Sequence, residues 1–216
     1  MRDPLGLNER LFAAFYPRLI SRAENAGQRD TRRRLLANAT GATVEIGAGS
    51  GINLEHYTDR VTELILTEPS PHMLDHLRSA IGENPPAVGS YELVSASAQR
   101  LPFDDRRFDT AVCTYVLCSV PDPAAALSEL ARVLRPGGKL LFLEHVRAGE
   151  DTVLGRFQDL VEVPHRYIAA GCYPNRRTAE LLADSPLQVQ RLERGRQPAA
   201  LPTVRPTITG VAVKRG

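Results

Sequence analysis

The run Val44-Glu45-Ile46-Gly47-Ala48-Gly49-Ser50-Gly51 constrains the fold of this chain more than any other stretch. Its β-branched and apolar start predicts a buried strand with Glu45 inside it. Glycine then recurs at every second position. Glycine permits φ > 0 and lets the backbone approach another body, so the run predicts a tight strand-to-helix turn. Such a turn bares several backbone N–H groups and makes a cradle for a polar ligand. Glu68 closes the next apolar run, Leu64-Ile65-Leu66-Thr67-Glu68. An acid at that distance, ending the second strand of a βαβ unit, is placed to accept hydrogen bonds from two ribose hydroxyls.

The chain has 216 residues, enough for one domain with a large core, and a net charge of +2. Arg29, Arg32, Arg33 and Arg34 form the one basic cluster, which is read as the solvated face of a helix. Basic residues interleaved with aromatics are not seen, which argues against nucleic acid. Cys113, Cys118 and Cys172 are odd in number and contain no C-x-x-C pair, so a reduced chain without a metal site is expected. No signal peptide or run of ~20 apolar residues is present, which predicts a soluble, cytoplasmic protein with no stable membrane insertion.

Taken in order, residues 7–25 carry Leu7, Leu11, Phe12, Phe15, Leu19 and Ile20 at helical spacing, with Pro17 expected to kink or split the helix. A second helix is predicted over 28–38. A short helix after Gly51 holds Leu54, His56 and Tyr57. Strand 2 is expected over 62–67. Ser70 and Pro71 then stand as N-cap and N1 of a helix carrying Met73, Leu74, Leu77 and Ile81. Strands follow at 91–94 and 108–115, the latter nearly continuous in apolar character, as a buried parallel strand requires. Asp122 caps a helix over 124–134. Arg135-Pro136-Gly137-Gly138 turns into a strand over 139–146. Residues 151–183 read as helices broken at Pro164 and at Gly171-Cys172-Tyr173-Pro174. Strands over 187–193 and 207–213 end the chain as an antiparallel hairpin. The alternation through residue 146 requires an α/β fold with a doubly wound parallel sheet.

In such a sheet ligands sit at the carboxyl ends of the strands, where strand order reverses. The dinucleotide fingerprint G-x-G-x-x-G would need a glycine at Ile52, and no G-x-x-x-x-G-K-[ST] occurs. Together the glycine run, the strand-ending acid, Leu101-Pro102-Phe103 and Leu134-Arg135-Pro136-Gly137-Gly138 resemble the class I S-adenosylmethionine-dependent methyltransferases over about residues 40–146. Farther along, Cys113-Thr114-Tyr115-Val116-Leu117-Cys118-Ser119-Val120, Leu143-Glu144-His145-Val146, Gly171-Cys172 and Val204-Arg205-Pro206 look like the methyltransferase-like 7 branch, the alkyl thiol methyltransferases. Relatives there begin with a membrane-anchoring segment, which is not expected here, and carry a Trp near position 165, where this chain has His165-Arg166-Tyr167.

The resemblance implies a seven-stranded Rossmann-like sheet with an antiparallel last strand, and S-adenosylmethionine as cofactor. It implies that Gly47, Ala48, Gly49 and Gly51 cradle the cofactor, with Glu45 near its amino-acid end and Glu68 on the ribose. Pro69, Ser70 and Met73 would flank the adenosine, Ser97, Ala98 and Gln99 would edge the adenine, and Thr114 and Tyr115 would face the methionine part. Many relatives carry Asp where Ser97 stands. The division expected is a helical lid over 1–40, a cofactor core over 41–146, a helical acceptor cap over 147–185 and a hairpin over 186–216, all one methyltransferase domain.

Methyl transfer from a sulfonium is an in-line displacement, so much of its catalysis comes from holding acceptor and methyl in near-attack geometry. A thiol acceptor, with a pKa of ~8.5, needs little help from a base. An oxygen acceptor needs one, and His145, following strand 5 at the crevice, is the candidate, against a structural role in the same turn. Phe12, Phe15, Tyr16, His165 and Tyr173 are the candidate walls of the acceptor pocket. The expected reaction is methylation of a small apolar or aromatic molecule. The alternatives are a nicotinamide-dependent oxidoreductase and an idle cofactor-binding scaffold. The acceptor atom and the oligomeric state are not read from the sequence.

Overall fold

The computed structural model describes residues 21–169 and 171–216. The predicted first helix lies almost entirely outside the described residues, and with it Phe12, Phe15, Tyr16 and the bend expected at Pro17. Residues 21–23 are helical and lead into a π-helical turn, Glu24–Gln28, in which Gly27 has φ +120°. Helix α1 (Arg29–Leu36) follows.

Seven strands form one sheet: β1 (Gly41–Ile46), β2 (Val61–Thr67), β3 (Tyr91–Val94), β4 (Phe108–Thr114), β5 (Leu134–His145), β6 (Leu187–Arg196) and β7 (Pro206–Lys214). Their order is β3-β2-β1-β4-β5-β7-β6. The first five strands pair in parallel, and β7 runs antiparallel to both β5 and β6. The expected seven-stranded, doubly wound sheet with a reversed last strand is therefore the observed one. β5 begins at Leu134 rather than Lys139, because Leu134 pairs with Phe108 and the Arg135–Gly138 turn bulges out before Lys139 meets Thr110.

Helices α2 (Pro71–Glu83), α3 (Pro123–Val133), α4 (Val153–Ile168) and α5 (Thr178–Ala183) complete the described elements, with 3-10 turns at Leu54–His56 and Pro202–Val204. Strand alternation divides the core between the two faces of the sheet. Leu64 and Leu66 join Leu35 and Leu36 of α1 and Leu74, Leu77 and Ile81 of α2 on one face. Val44, Ile46, Ile65 and Phe142 join Ala126, Leu127 and Leu130 of α3 on the other. Both faces of the central strands are thus dry, which is why those strands read as unbroken apolar runs.

Two helix boundaries differ from expectation. Between the helices expected over 7–25 and 28–38 the chain stays helical through a π-helical turn, and α4 passes through Pro164 without breaking. The helix is exposed at Leu160 and Val163, so solvent can take the carbonyl that proline leaves unpaired. Gln158 instead pins α4 to the core. Its buried amide donates to the carbonyls of Val146, Pro174 and Thr203, and its oxygen accepts from the Ala148 N–H at 2.7 Å.

Gly210 in β7 has no room for a side chain. An added Cβ would run into the Arg191 carbonyl, where β6 shifts register between Val189 and Arg191, and would lie 2.7 Å from Phe142 Cζ. Gly210→Ala is expected to destabilise the chain by about 1–3 kcal/mol through overpacking, read as a lowered denaturation midpoint with unchanged slope.

Candidate functional site

The order β2-β1-β4 puts the reversal of strand order beside β1, and the glycine turn leaves β1 at that point. Gly47, Gly49 and Gly51 all have positive φ, at 59°, 57° and 79°. A Cβ on Gly47 would come within 2.6 Å of Val116 Cγ2, and one on Gly51 within 2.7 Å of Leu54 Cδ1, so the turn is held by packing as well as by dihedral preference. Glu68, almost fully buried, bridges this turn to the next loop. Its carboxylate accepts from the Gly49 N–H and from the Ser70 N–H, each at 3.0 Å. Ser70 occupies the N-cap position of α2 without making a side-chain cap bond, and its buried Oγ has no hydrogen-bond partner among the described residues. Met73 sits on the same side, its Cε 3.5 Å from where a Gly49 Cβ would stand.

The floor of the crevice holds a polar network that sequence reasoning missed. Arg32, read as part of a solvated basic face, is only 2% exposed. Its Nε donates to Glu24 at 2.8 Å, and its terminal nitrogen to Asn53 Oδ1 at 2.8 Å and Thr114 Oγ1 at 3.1 Å. Asn53 in turn donates to Glu45 Oε1 at 2.8 Å, and the Tyr57 hydroxyl donates to Glu45 Oε2 at 2.6 Å. A narrow pocket is lined by Arg32, Gly47, Ala48, Gly49, Ser50, Ile52, Asn53 and Thr114. The signal available in sequence was the apolar spacing of Leu35 and Leu36, which turns Arg32 toward the core together with Leu35 and Leu36. Burial pushes the Glu45 carboxyl up to about 7, against the bonds from Tyr57 and Asn53 and the charge of Arg32.

On the β4–β5 side, Glu144 is fully buried and organises the segment after β4. Its carboxylate accepts from the N–H groups of Val116, Leu117 and Cys118 at 3.0–3.1 Å and from the Cys113 thiol at 3.1 Å. Burial raises its pKa while those bonds hold it down. The chain enters this segment through Tyr115, whose φ of +60° is costly for a non-glycine residue and is kept by the surrounding contacts. The Tyr115 ring stacks on His145 with centroids 4.2 Å apart, and the Arg32 guanidinium lies 5.2 Å from its centre.

Both ring nitrogens of His145 are engaged with protein groups. Nε2 lies 2.5 Å from Gln197 Oε1, and Nδ1 lies 3.8 Å from Cys118 Sγ and 3.9 Å from Cys172 Sγ. His165 bonds the Cys172 carbonyl through Nδ1 at 3.1 Å, and burial lowers its pKa. Tyr173 is flanked by the guanidinium groups of Arg166 and Arg176, at 5.1 and 4.1 Å from its ring centre. Arg176 donates to the Val120 carbonyl, whereas Arg177 pairs with Glu150 at the surface.

Other expected contacts are arranged less tightly. Pro69 and Ser97 are exposed, Ala98 packs into the core cluster, and the Ser97 carbonyl accepts from the Arg100 N–H at 3.0 Å. Among the described helices none is long and apolar enough to cross a membrane.

A model of a methyltransferase domain matches residues 44–142, the span from β1 to β5. Human thiol S-methyltransferase TMT1B is 31% identical over 97% of this chain and 90% of its own length. Human thiol S-methyltransferase TMT1A is 33% identical over 79% of this chain and 70% of its own. In fold, the chain is similar to an S-adenosylmethionine-dependent methyltransferase of Thermotoga maritima, described as a possible histamine N-methyltransferase. That likeness has a TM-score of 0.67 at 20% identity and covers 95% of this chain and 99% of the other. These relatives support the transferase and lend nothing to the nicotinamide-dependent or idle alternatives. A glycine turn lacking the third dinucleotide glycine, an acid closing β2 and a reversed seventh strand agree with them, and the chain belongs to the class I S-adenosylmethionine-dependent methyltransferases, in the family that includes the thiol S-methyltransferases TMT1A and TMT1B.

Proposed function

We propose that this enzyme methylates the sulfur of a small, apolar thiol. The observation that carries the reading is the absence of a free imidazole at the crevice among the described residues: His145 is engaged at both nitrogens. An oxygen acceptor would need a base there, whereas a thiol forms its nucleophile near neutral pH without one. The thiol S-methyltransferase relatives support the same choice. When bound, S-adenosylmethionine supplies an electrophilic methyl group on a sulfonium.

The chain's own residues divide the work of holding that cofactor. Gly47, Ala48, Gly49 and Gly51 form its backbone cradle. Glu68 takes the ribose hydroxyls, and Ser70, Met73 and Pro69 flank the adenosine, the unpaired Ser70 Oγ offering a further polar contact. Ser97, Ala98 and Gln99 edge the adenine. Arg32 offers a buried cation to the carboxylate of the amino-acid end, and Glu45, with Thr114 and Tyr115 beside it, offers negative charge to the ammonium. His165 and Tyr173, in the segment 147–185, wall the acceptor, with Phe12, Phe15 and Tyr16 assigned to the same wall from the sequence alone; His145 orients Tyr115 by stacking.

Three outcomes follow. Incubation with labelled cofactor is expected to methylate alkyl and aryl thiols in preference to phenols and amines; label found only on oxygen or nitrogen contradicts the reading. Glu68→Ala is expected to weaken cofactor binding about 10- to 100-fold by calorimetry, since hydrogen bonds to a charged group carry about 1.5–3 kcal/mol. The free-enzyme pKa of Glu45, about 7, sets a pH dependence. An ammonium beside Glu45 favours its ionised form, so the bound pKa is lower and binding releases a proton. Cofactor affinity is then greatest above pH 7 and falls as pH drops through 7, by up to about tenfold per unit. Glu45→Gln should flatten that profile.

A further inference from the structure

The fold brings together three groups that lie far apart in sequence. Cys118 follows β4, His145 ends β5 and Cys172 follows α4, yet the two Sγ atoms and a ring nitrogen all lie within 4.8 Å of one another. We propose that Cys118, His145 and Cys172 form a binding site for a soft divalent cation, zinc above all, with three protein ligands. Nothing in the cofactor reading requires it, and the proposal stands apart from the identity of the acceptor.

Zinc binds thiolate at about 2.3 Å and imidazole at about 2.0–2.1 Å, so a tetrahedral nitrogen–sulfur edge is about 3.6 Å. The two nitrogen–sulfur edges here are 3.8 and 3.9 Å, within a few tenths of an ångström of that value, and the two sulfurs lie within 4.8 Å of each other, against about 3.8 Å for a tetrahedral sulfur–sulfur edge.

The tautomer is also set. A carboxamide oxygen only accepts, so Gln197 Oε1 at 2.5 Å fixes the proton of neutral His145 on Nε2. Nδ1 then presents its lone pair to both thiols. A partner on the far nitrogen is the arrangement by which metal-bound histidines are oriented.

The ligand segments are rigid before any metal arrives. Cys118 is held by its N–H to Glu144 at 3.1 Å, and its carbonyl accepts from the Tyr173 N–H at 2.8 Å, which ties the two cysteine segments to each other. The Cys172 carbonyl accepts from His165 at 3.1 Å. Cys118 and Cys172 are buried, at 1% and 8% exposed. Two thiols bind a divalent cation with loss of two protons, so the buried site becomes neutral: two thiolates balance the ion's two charges. Two thiolates and one imidazole select zinc over magnesium or calcium, which take oxygen. Three protein ligands leave a fourth position for an exogenous donor, and soft donors such as thiols suit it.

Cobalt(II) is the probe. Protein prepared metal-free under a phosphine reductant is titrated with cobalt(II), then with zinc. The expected result is one equivalent bound, with thiolate-to-cobalt charge-transfer absorption and intense visible bands of a tetrahedral ion, both abolished by zinc. Cys118→Ser and Cys172→Ser should each weaken cobalt binding and lose half or more of the charge-transfer intensity, since one thiolate remains, while still binding S-adenosylhomocysteine, which shows that they fold. Gln197→Ala should weaken zinc binding about 10- to 100-fold with both cysteines intact. Absence of cobalt absorption in the reduced parent overturns the proposal, as does absorption unchanged in both cysteine variants, or a Cys118–Cys172 disulfide that persists in the reductant.

Discussion

A buried guanidinium sets the shape of the crevice. Arg32 reaches from α1 to the ends of β1 and β4, binding Glu24, Asn53 and Thr114 at once. Removing a charge from water costs several kcal/mol, which is recovered only where a counter-charge and hydrogen bonds replace the water. Here the π-helical turn before α1 carries Glu24 round to face Arg32, and Asn53 passes the network on to Glu45. Extra residues in a helical turn commonly mark functional positions, and this one delivers the counter-charge. Losing one partner of such a pair would cost about 3–5 kcal/mol, so the position of α1 over the glycine turn is tightly coupled to the polarity of the floor.

The opposite wall rests on a second buried charge used as a strut. Glu144 gathers three consecutive backbone N–H groups, which leaves the chain after β4 no freedom to relax the positive φ of Tyr115. The strained tyrosine is thereby presented between Arg32 and His145. Glu68 does the same work beside β2, closing the glycine turn against the start of α2 through two backbone N–H groups. Glu45, Glu68 and Glu144, each bonded to backbone or buried donors, thus define three sides of one crevice.

Much of this was legible in the chain itself. The apolar strands, the glycines at every second position and Glu68 specify the sheet, its reversal point and the family, because hydrophobic period and turn chemistry are local properties. The turn Arg135-Pro136-Gly137-Gly138 likewise announces β5. A cluster of four arginines looks like a solvated face, and only the packing of Leu35 and Leu36 decides that Arg32 is the one that turns inward. Pro164 was read as a break because the cost of proline falls on a carbonyl whose exposure is a tertiary fact. The meeting of Cys118, His145 and Cys172 could not be read from spacing at all, since it depends on where three loops end in space.

The crystal structure of the enzyme with S-adenosylhomocysteine tests the account most directly. The ribose hydroxyls are expected on Glu68 and the amino-acid carboxylate within hydrogen-bond reach of Arg32, over Gly47–Gly51. An amino-acid end pointing away from Arg32, or a ribose that leaves Glu68 untouched, would contradict it.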